Sequence, residues 1–394
     1  MPRLRSVLAT VALALIAGVS QAQTVSKLRA TEEMRIDGAA ESLVGFYTLV
    51  VGRDGRIAIP QNSDGTIAFY DDRGHKLGTF GRKGAGPGEF NILTGDMGWV
   101  GDTLWVFDFN NGRRVTYISP DRKLVRAPSI ATGTPYDPTP TASGVKHVSL
   151  AAAHIERVYP DGTMLAPWSF GAAYDDQRYI VVTRSGDIVR EVAKLPRSNG
   201  RVDVRTNGQH ASADIPFFGA PQHSVSGDGT RIAMLSTTTM AGANGSYNVT
   251  VVRSTADTVF SKTYAFQGVR IPQAAKDSVL NRMIERGKVN TPEGRFPGEE
   301  LAKLAKEKMP EYYAPVKDIV AGDDDTTWLV MRETGPGERV RALDARGNVI
   351  GDVTLKARSM LARATRTTLW VIEFDADGTP SVARYRVGGP INDR

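Results

Sequence analysis

The sequence predicts an all-β fold, a six-bladed β-propeller with one helical insertion around residues 272–309. Three observations carry that prediction. A turn rich in Gly, Asp or Thr, followed by a short and almost continuously apolar strand, recurs six times. A second strand, a second turn and a half-polar outer strand follow within each unit. The closest successive turns, Asp54 to Gly101 and Asp324 to Arg366, are spaced near the roughly 40–50 residues expected of propeller blades.

The chain of 394 residues opens with MPRLRSVLATVALALIAGVSQAQ. Arg3 and Arg5 precede an apolar run from Val7 to Val19, and Ser20-Gln21-Ala22 resembles a small-x-small cleavage site. This is the pattern of a secretory signal peptide, and the run is short of the roughly 20 residues that span a bilayer. Residues 1–22 are therefore expected to be removed, leaving a periplasmic or secreted domain over 23–394 without a membrane anchor. There is no Cys, so neither lipid attachment at a cysteine nor disulfides nor thiolate metal sites are available. Burial alone must hold the domain, and a chain of this length can bury a large core.

The six turn-and-strand units begin with GRDGRIAIP, VGDTLWVFD, YPDGTMLAP, SGDGTRIAML, GDDDTTWLVM and TRTTLWVIEF. Strands of this unbroken apolar kind are buried on both faces. The second halves of the units read TIAFYDDRGHKLGTFG, RVTYISPDRKLVRAP, YIVVTRSGDIVREVAKL, NVTVVRSTADTVFSKTY, RVRALDARGNVIGDVTL and VARYRVGG. Radial closure of such sheets protects edges that an open sheet would expose.

Between the fourth and fifth units, Pro272 to Met309 has helical composition in two pieces, within an insertion reaching residue 314. Val279, Met283 and Ile284 share one helical face, as do Leu301, Leu304 and the stem of Lys308, and Pro297 or Gly298 opens the second helix. The expected role is a helical hairpin over one end of the barrel, with a substrate lid as the alternative. The net charge of +6 is spread thinly, with no basic run longer than those around Arg113 and His75. That excludes a nucleic-acid footprint.

Residues 81–90, GRKGAGPGEF, hold four glycines beside Arg82 and Lys83. A phosphate cradle needs G-x-G-x-x-G at a strand-to-helix turn. Here the spacing differs, Pro87 removes an amide, Gly88 is followed by Glu89-Phe90, and no helix follows. The stretch reads instead as a connector between blades. Glycines supply positive φ, Pro87 stiffens the crossing and Phe90 plugs the gap.

This element resembles the G-x-G-x-G-P-G-x-F connector of NHL-type six-bladed β-propellers. LWVFDFNNGRRVTYIS continues the likeness, with Asp108, Asn111, Arg114 and Val115 in the matching places, while the preceding unit has Pro60 where the Asp would stand. Motif agreement covers residues 43–118. The resemblance implies the fold and is silent on chemistry. The family includes lyases with metal-bound His, and similar folds include lactonases with Glu, Asn and Asp around calcium; neither ligand set carries over onto this chain. Asp108 is expected to accept turn amides.

The histidines, at 75, 147, 154, 210 and 223, show no short ligand spacing. His75 falls in a turn, and His223 lies before an inner strand where it approaches the channel. Asp71-Asp72, Asp175-Asp176 and Asp323 to Asp325 stand at expected β-turns, where Asp is a favoured residue. No G-x-S-x-G elbow, H-E-x-x-H helix or nucleophile with an obvious base is present. The segments leading into inner strands carry Arg82, Lys83, Glu89, Phe217, Phe218, His223, Tyr312 and Tyr313. Around one channel mouth these would supply the aromatic walls and few polar groups of a small-molecule or peptide pocket; the alternative is that the aromatics pack between blades. Two functions follow as expectations. One is a monomeric binding module for a small molecule, peptide or protein, without a cofactor. The other is a metal-assisted lactonase- or lyase-like enzyme with a divalent ion such as calcium on the axis.

Overall fold

The computed structural model describes residues 25–108, 113–130, 147, 148, 150, 154–170, 176–195, 200–206, 209–236, 238–287, 290, 291, 294, 295, 297–333 and 335–390. The leader, Asn111 and Asp175 lie outside them.

Each recurrent turn does what its sequence requires. Asp54, Asp161, Asp228 and Asp324 accept the amide two residues on, at 2.9–3.1 Å, and so fix the reversal into the apolar strand behind them. Those strands are the second of each blade, and every residue of Ile57–Gln61, Arg231–Leu235 and Thr327–Met331 is buried. Apolar side chains on both faces pack against the blades on either side.

Six antiparallel sheets result. Blade 1 is Val50–Val51, Ile57–Gln61, Thr66–Tyr70 and Lys76–Phe80. Blade 2 is Met97–Val100, Thr103–Asp108, Arg114–Ile118 and Leu124–Arg126. Blade 3 is Arg157–Val158, Met164–Phe170, Asp176–Val182 and Ile188–Lys194. Blade 4 is Gln222–Val225, Arg231–Leu235, Asn244–Arg253 and Thr258–Gln267, with Thr239–Ala241 added beside the third strand. Blade 5 is Val316–Ala321, Thr327–Met331, Glu338–Leu343 and Val349–Leu355. The inner strands of blades 1 and 2, 2 and 3, 4 and 5, and 5 and 6 touch, forming a ring around an axial channel.

Blade 6 closes the ring. Ser359–Ala364, Thr368–Phe374 and Pro380–Pro390 supply three strands, and the fourth is Leu28–Ile36 from the opposite end of the chain. Leu28, Met34 and Ile36 of that strand are buried, while Glu32 and Arg35 point to the rim. Sequence periodicity did not identify this strand.

The insertion contains the two expected helices, α1 (Gln273–Arg286) and α2 (Gly298–Lys308), the second preceded by Pro297. They pack on a hairpin that the sequence reading omitted, Arg201–Thr206 with Gln209–Asp214. Leu280, Leu301, Ala302 and Ala305 join Val202 and Ile215 in a core of their own. Met283, Ile284 and Leu304 border that core, whereas Val279 lines a groove beside the hairpin.

The connector 81–90 is built as architecture. Phe90 is fully buried among Val50, Ala58 and Ile67 of blade 1 and Leu104 and Val106 of blade 2. Gly81, at φ +93°, leaves room for it, since a Cβ there would stand 2.7 Å from the Phe90 ring. Arg114 donates from Nη2 to the carbonyls of Ala85 and Gly86, both at 2.8 Å. Asp108 accepts the Asn91 amide at 2.7 Å. The Asp and Arg of the motif thus hold the connector from the neighbouring blade.

Candidate functional site

The residues singled out from sequence occupy three places. Arg82, Lys83 and Glu89 lie in the connector between blades 1 and 2. Arg82 pairs with Glu89 at 2.5 Å, and Glu89 accepts the Gly86 amide at 2.7 Å. That amide, and then Arg82, hold the Glu89 carboxyl below its ordinary range. Lys83 Nζ reaches the Asn62 carbonyl at 3.4 Å. Phe217, Phe218, Tyr312 and Tyr313 lie in the segments leading into blades 4 and 5. Phe217, in a left-handed conformation, meets Tyr313 edge-on at 5.4 Å, and Arg332 lies over the Tyr313 ring at 5.1 Å. Phe218 instead borders the core of the insertion.

His223, read from sequence as lying just before an inner strand, belongs to the innermost strand of blade 4 itself, Gln222–Val225. Its Nδ1 lies 2.7 Å from the Tyr179 hydroxyl of blade 3. Burial pushes its pKa down, favouring the neutral ring. Tyr179 also hydrogen-bonds the Glu156 carboxyl, so one hydroxyl joins Glu156 to His223.

Glu156 is the centre of a cluster that the sequence reading missed. Around its carboxylate are Asp96, His154, Arg363 and Tyr179. Asp96 Oδ2 accepts from His154 Nδ1 at 3.1 Å, which raises the His154 pKa. Glu156 shows open surface, yet that surface faces the channel and protein encloses it on the other sides. Enclosure first, and the Asp96 charge second, push its carboxyl up to about 7. Beside it Arg157 donates from Nη2 to the Trp99 carbonyl, while its Nε is buried without a partner. Burial, and then the Arg363 charge, lower Arg157 to about 10, so it stays protonated at neutral pH. Arg363 stands 4.0 Å from Asp323.

Asp96, Glu156, Arg157 and Arg363 line a cavity of about 120 Å³ in the channel, bounded also by Thr48, Met97, Val225, Ser226 and Gly227. The register explains why five blades meet there. Glu156 and His223 each stand three residues before the amide that closes the first turn of their blade, Tyr159 and Ser226. Superimposing the Asp-Gly-Thr turns of blades 3 and 4 would have placed the two at one level of the ring.

The acidic runs serve turns. Asp71 accepts the amides of Arg73 and His75 at 2.9 and 2.7 Å, Asp324 those of Thr326 and Arg366 at 3.1 and 2.5 Å, and Asp323 that of Gly227. Among the described residues no three His, Asp or Glu side chains are grouped as a metal site, and no helix is long and apolar enough to cross a membrane.

No protein-family model matches the chain, and no curated protein matches it. Solved structures resemble it over nearly their whole length. A protein described as exported, from Bacteroides fragilis, is 12% identical, with 91% of this chain and 95% of that one covered at a TM-score of 0.46. A duf4221 family member from Bacteroides vulgatus is 11% identical, with 93% and 99% covered at 0.44. A catalytically inactive virginiamycin B lyase from Staphylococcus aureus, with quinupristin, is 11% identical, with 91% and 98% covered at 0.36. At such identities the functional reading rests on this chain's own residues.

Proposed function

We propose that the chain is an exported binding module that captures a small ligand in the channel of its propeller. The observation that carries this reading is the cavity around Glu156, where charged groups of blades 2, 3 and 6 meet around open space. A structural ion pair would have brought such charges into contact. Here Glu156 forms no ion pair among the described residues, and its carboxyl is raised rather than lowered. Export follows from the leader pattern of residues 1–22. The aromatic pair Phe217 and Tyr313 offers an outer wall for a larger ligand or a peptide.

A second reading, an enzyme at the same mouth, draws on the Glu156–Tyr179–His223 chain. A carboxyl near 7 that is linked to an imidazole through a hydroxyl has the form of a proton-transfer path.

Thermal unfolding with a panel of small ligands tests the binding reading. A ligand at a hundredfold excess over its Kd stabilises by about 2.7 kcal/mol. That shift should vanish in Glu156→Gln and be indifferent to EDTA. A chelator-dependent fall of several degrees, lost in His223→Ala, would replace the binding module with the metal enzyme. Turnover of the bound ligand without metal would favour the second reading.

A further inference from the structure

The charges lining the cavity restrict what can occupy it. Two are carboxylates, Asp96 and Glu156, and two are guanidiniums, Arg157 and Arg363. Asp96 has His154, and Arg363 has Asp323 at a distance. Glu156 and Arg157 form no ion pair among the described residues. Glu156 has the Tyr179 hydroxyl, and Arg157 has one backbone carbonyl and a buried Nε with nothing opposite.

These two cannot neutralise each other easily. They are consecutive in the chain, but Glu156 stands just before the inner strand Arg157–Val158, whereas the Arg157 guanidinium is committed to the Trp99 carbonyl of blade 2 with its Nε buried. The cavity therefore presents the carboxylate of Glu156, with Asp96 near it, and the guanidinium of Arg363, whose Asp323 partner stands 4.0 Å away. An unpaired charge held away from bulk water is costly, and an opposite charge offsets that cost. A ligand with one charge would answer only one of the two groups.

Size narrows the class further. About 120 Å³ of space accommodates only a few heavy atoms. The exposed lining is almost wholly polar, so no place for a large apolar side chain is present there.

Resting on the channel-binding reading above, we propose that the ligand is a small zwitterion of the α-amino acid class. Its ammonium meets the carboxylates of Glu156 and Asp96, and its carboxylate meets the guanidinium of Arg363. The ammonium is the sharper requirement, because Glu156 must be ionised to receive it. The groups facing Glu156 are Asp96, His154, Arg363 and Tyr179. With the carboxyl raised to about 7, affinity rises as pH increases through that value.

Calorimetric titration at pH 8 with glycine and L-alanine, against acetate and methylammonium as the two half-ligands, tests the assignment. The amino acids should bind at least tenfold more tightly than either half. Their affinity should fall by a similar factor at pH 5.5. Glu156→Gln should bind glycine no better than acetate and lose the pH dependence. Arg363→Gln, at the opposite pole, should weaken glycine and acetate alike and leave methylammonium unchanged. Acetate binding as tightly as glycine would overturn the zwitterion. So would the failure of both amino acids at 10 mM, on the order of the weakest ligands of biological interest. If another small ligand then stabilises the wild type but not Glu156→Gln, the channel-binding reading survives and only the ligand class falls. If no small ligand does so, both fall.

Discussion

The seam that closes the ring and the cavity at its centre use the same kinds of residue to opposite ends. At the seam, Arg35 meets Glu32 at 2.8 Å and Glu373 at 2.5 Å, while Lys356 meets the same two carboxylates at 3.0 and 3.1 Å. Tyr385 adds its hydroxyl to both. Arg35 first, with Lys356 behind it, draws Glu32 down to about 2. In the channel, enclosure pushes Glu156 up to about 7. Paired β-strands place opposite charges side by side at fixed register, so a seam can match its charges one for one. In the channel, Asp96 meets His154 at 3.1 Å, but Glu156 forms no ion pair among the described residues. A matched network stabilises the fold, whereas the channel set is the one that the proposed ligand would complete.

Removing Leu28–Ile36 should break the comparison most severely. Leu28, Met34 and Ile36 are buried, and each contributes roughly 1.5–3 kcal/mol. Their sum rivals the roughly 5–15 kcal/mol net stability of a typical domain. The truncated chain should lose its cooperative thermal transition. A single sharp melt within a few degrees of the intact protein would show that the seam is dispensable.

Phe90→Ala comes next, at about 3–5 kcal/mol in a denaturant titration, because the ring fills the space between blades 1 and 2. Arg82→Ala should change stability by less than about 1 kcal/mol, as expected of an exposed ion pair. The reverse order would mean that the connector serves something other than blade packing.

The smallest effects are the most discriminating, because they carry opposite signs. Glu32 has a folded pKa depressed to about 2 from 4.5. Its contribution is present above the unfolded value and lost as pH falls through the folded one, so Glu32→Gln should flatten the acid limb of the melting curve. Glu156 has a folded pKa raised from 4.5 to about 7. The protonated form is favoured by folding, and that contribution is lost as pH rises from 4.5 through 7. Glu156→Gln should therefore gain on the wild type as pH rises from 5 to 8. Parallel pH profiles for the two variants would erase the distinction between seam and channel.

The second strand of every blade was legible in the sequence because a turn signal and an unbroken apolar run coincide there. Leu28–Ile36 was not, because Thr31, Glu32 and Glu33 interrupt its alternation and its partner lies at the far end of the chain. The hairpin 201–214 carries an Asn207-Gly208 pair, a strong local hairpin signal, and was passed over because its strands are largely polar. His223 was singled out as preceding an inner strand, and it pairs with Tyr179 rather than lining the cavity. Asp96, His154, Glu156 and Arg363 are scattered single charges, and what unites them is ring geometry rather than any local spacing.

Building one blade from both ends of the chain also sets an order of events. During synthesis, the outer strand of blade 6 emerges first and its partner Pro380–Pro390 emerges last. Contacts of such long sequence separation form late, after the intervening loop has been closed. An incomplete chain therefore keeps an open ring with bare strand edges, however many blades it already contains. Such edges are what proteases and chaperones recognise in unfinished proteins. The clasp thus makes completeness a condition of closure, and a prematurely terminated copy identifies itself by failing to shut.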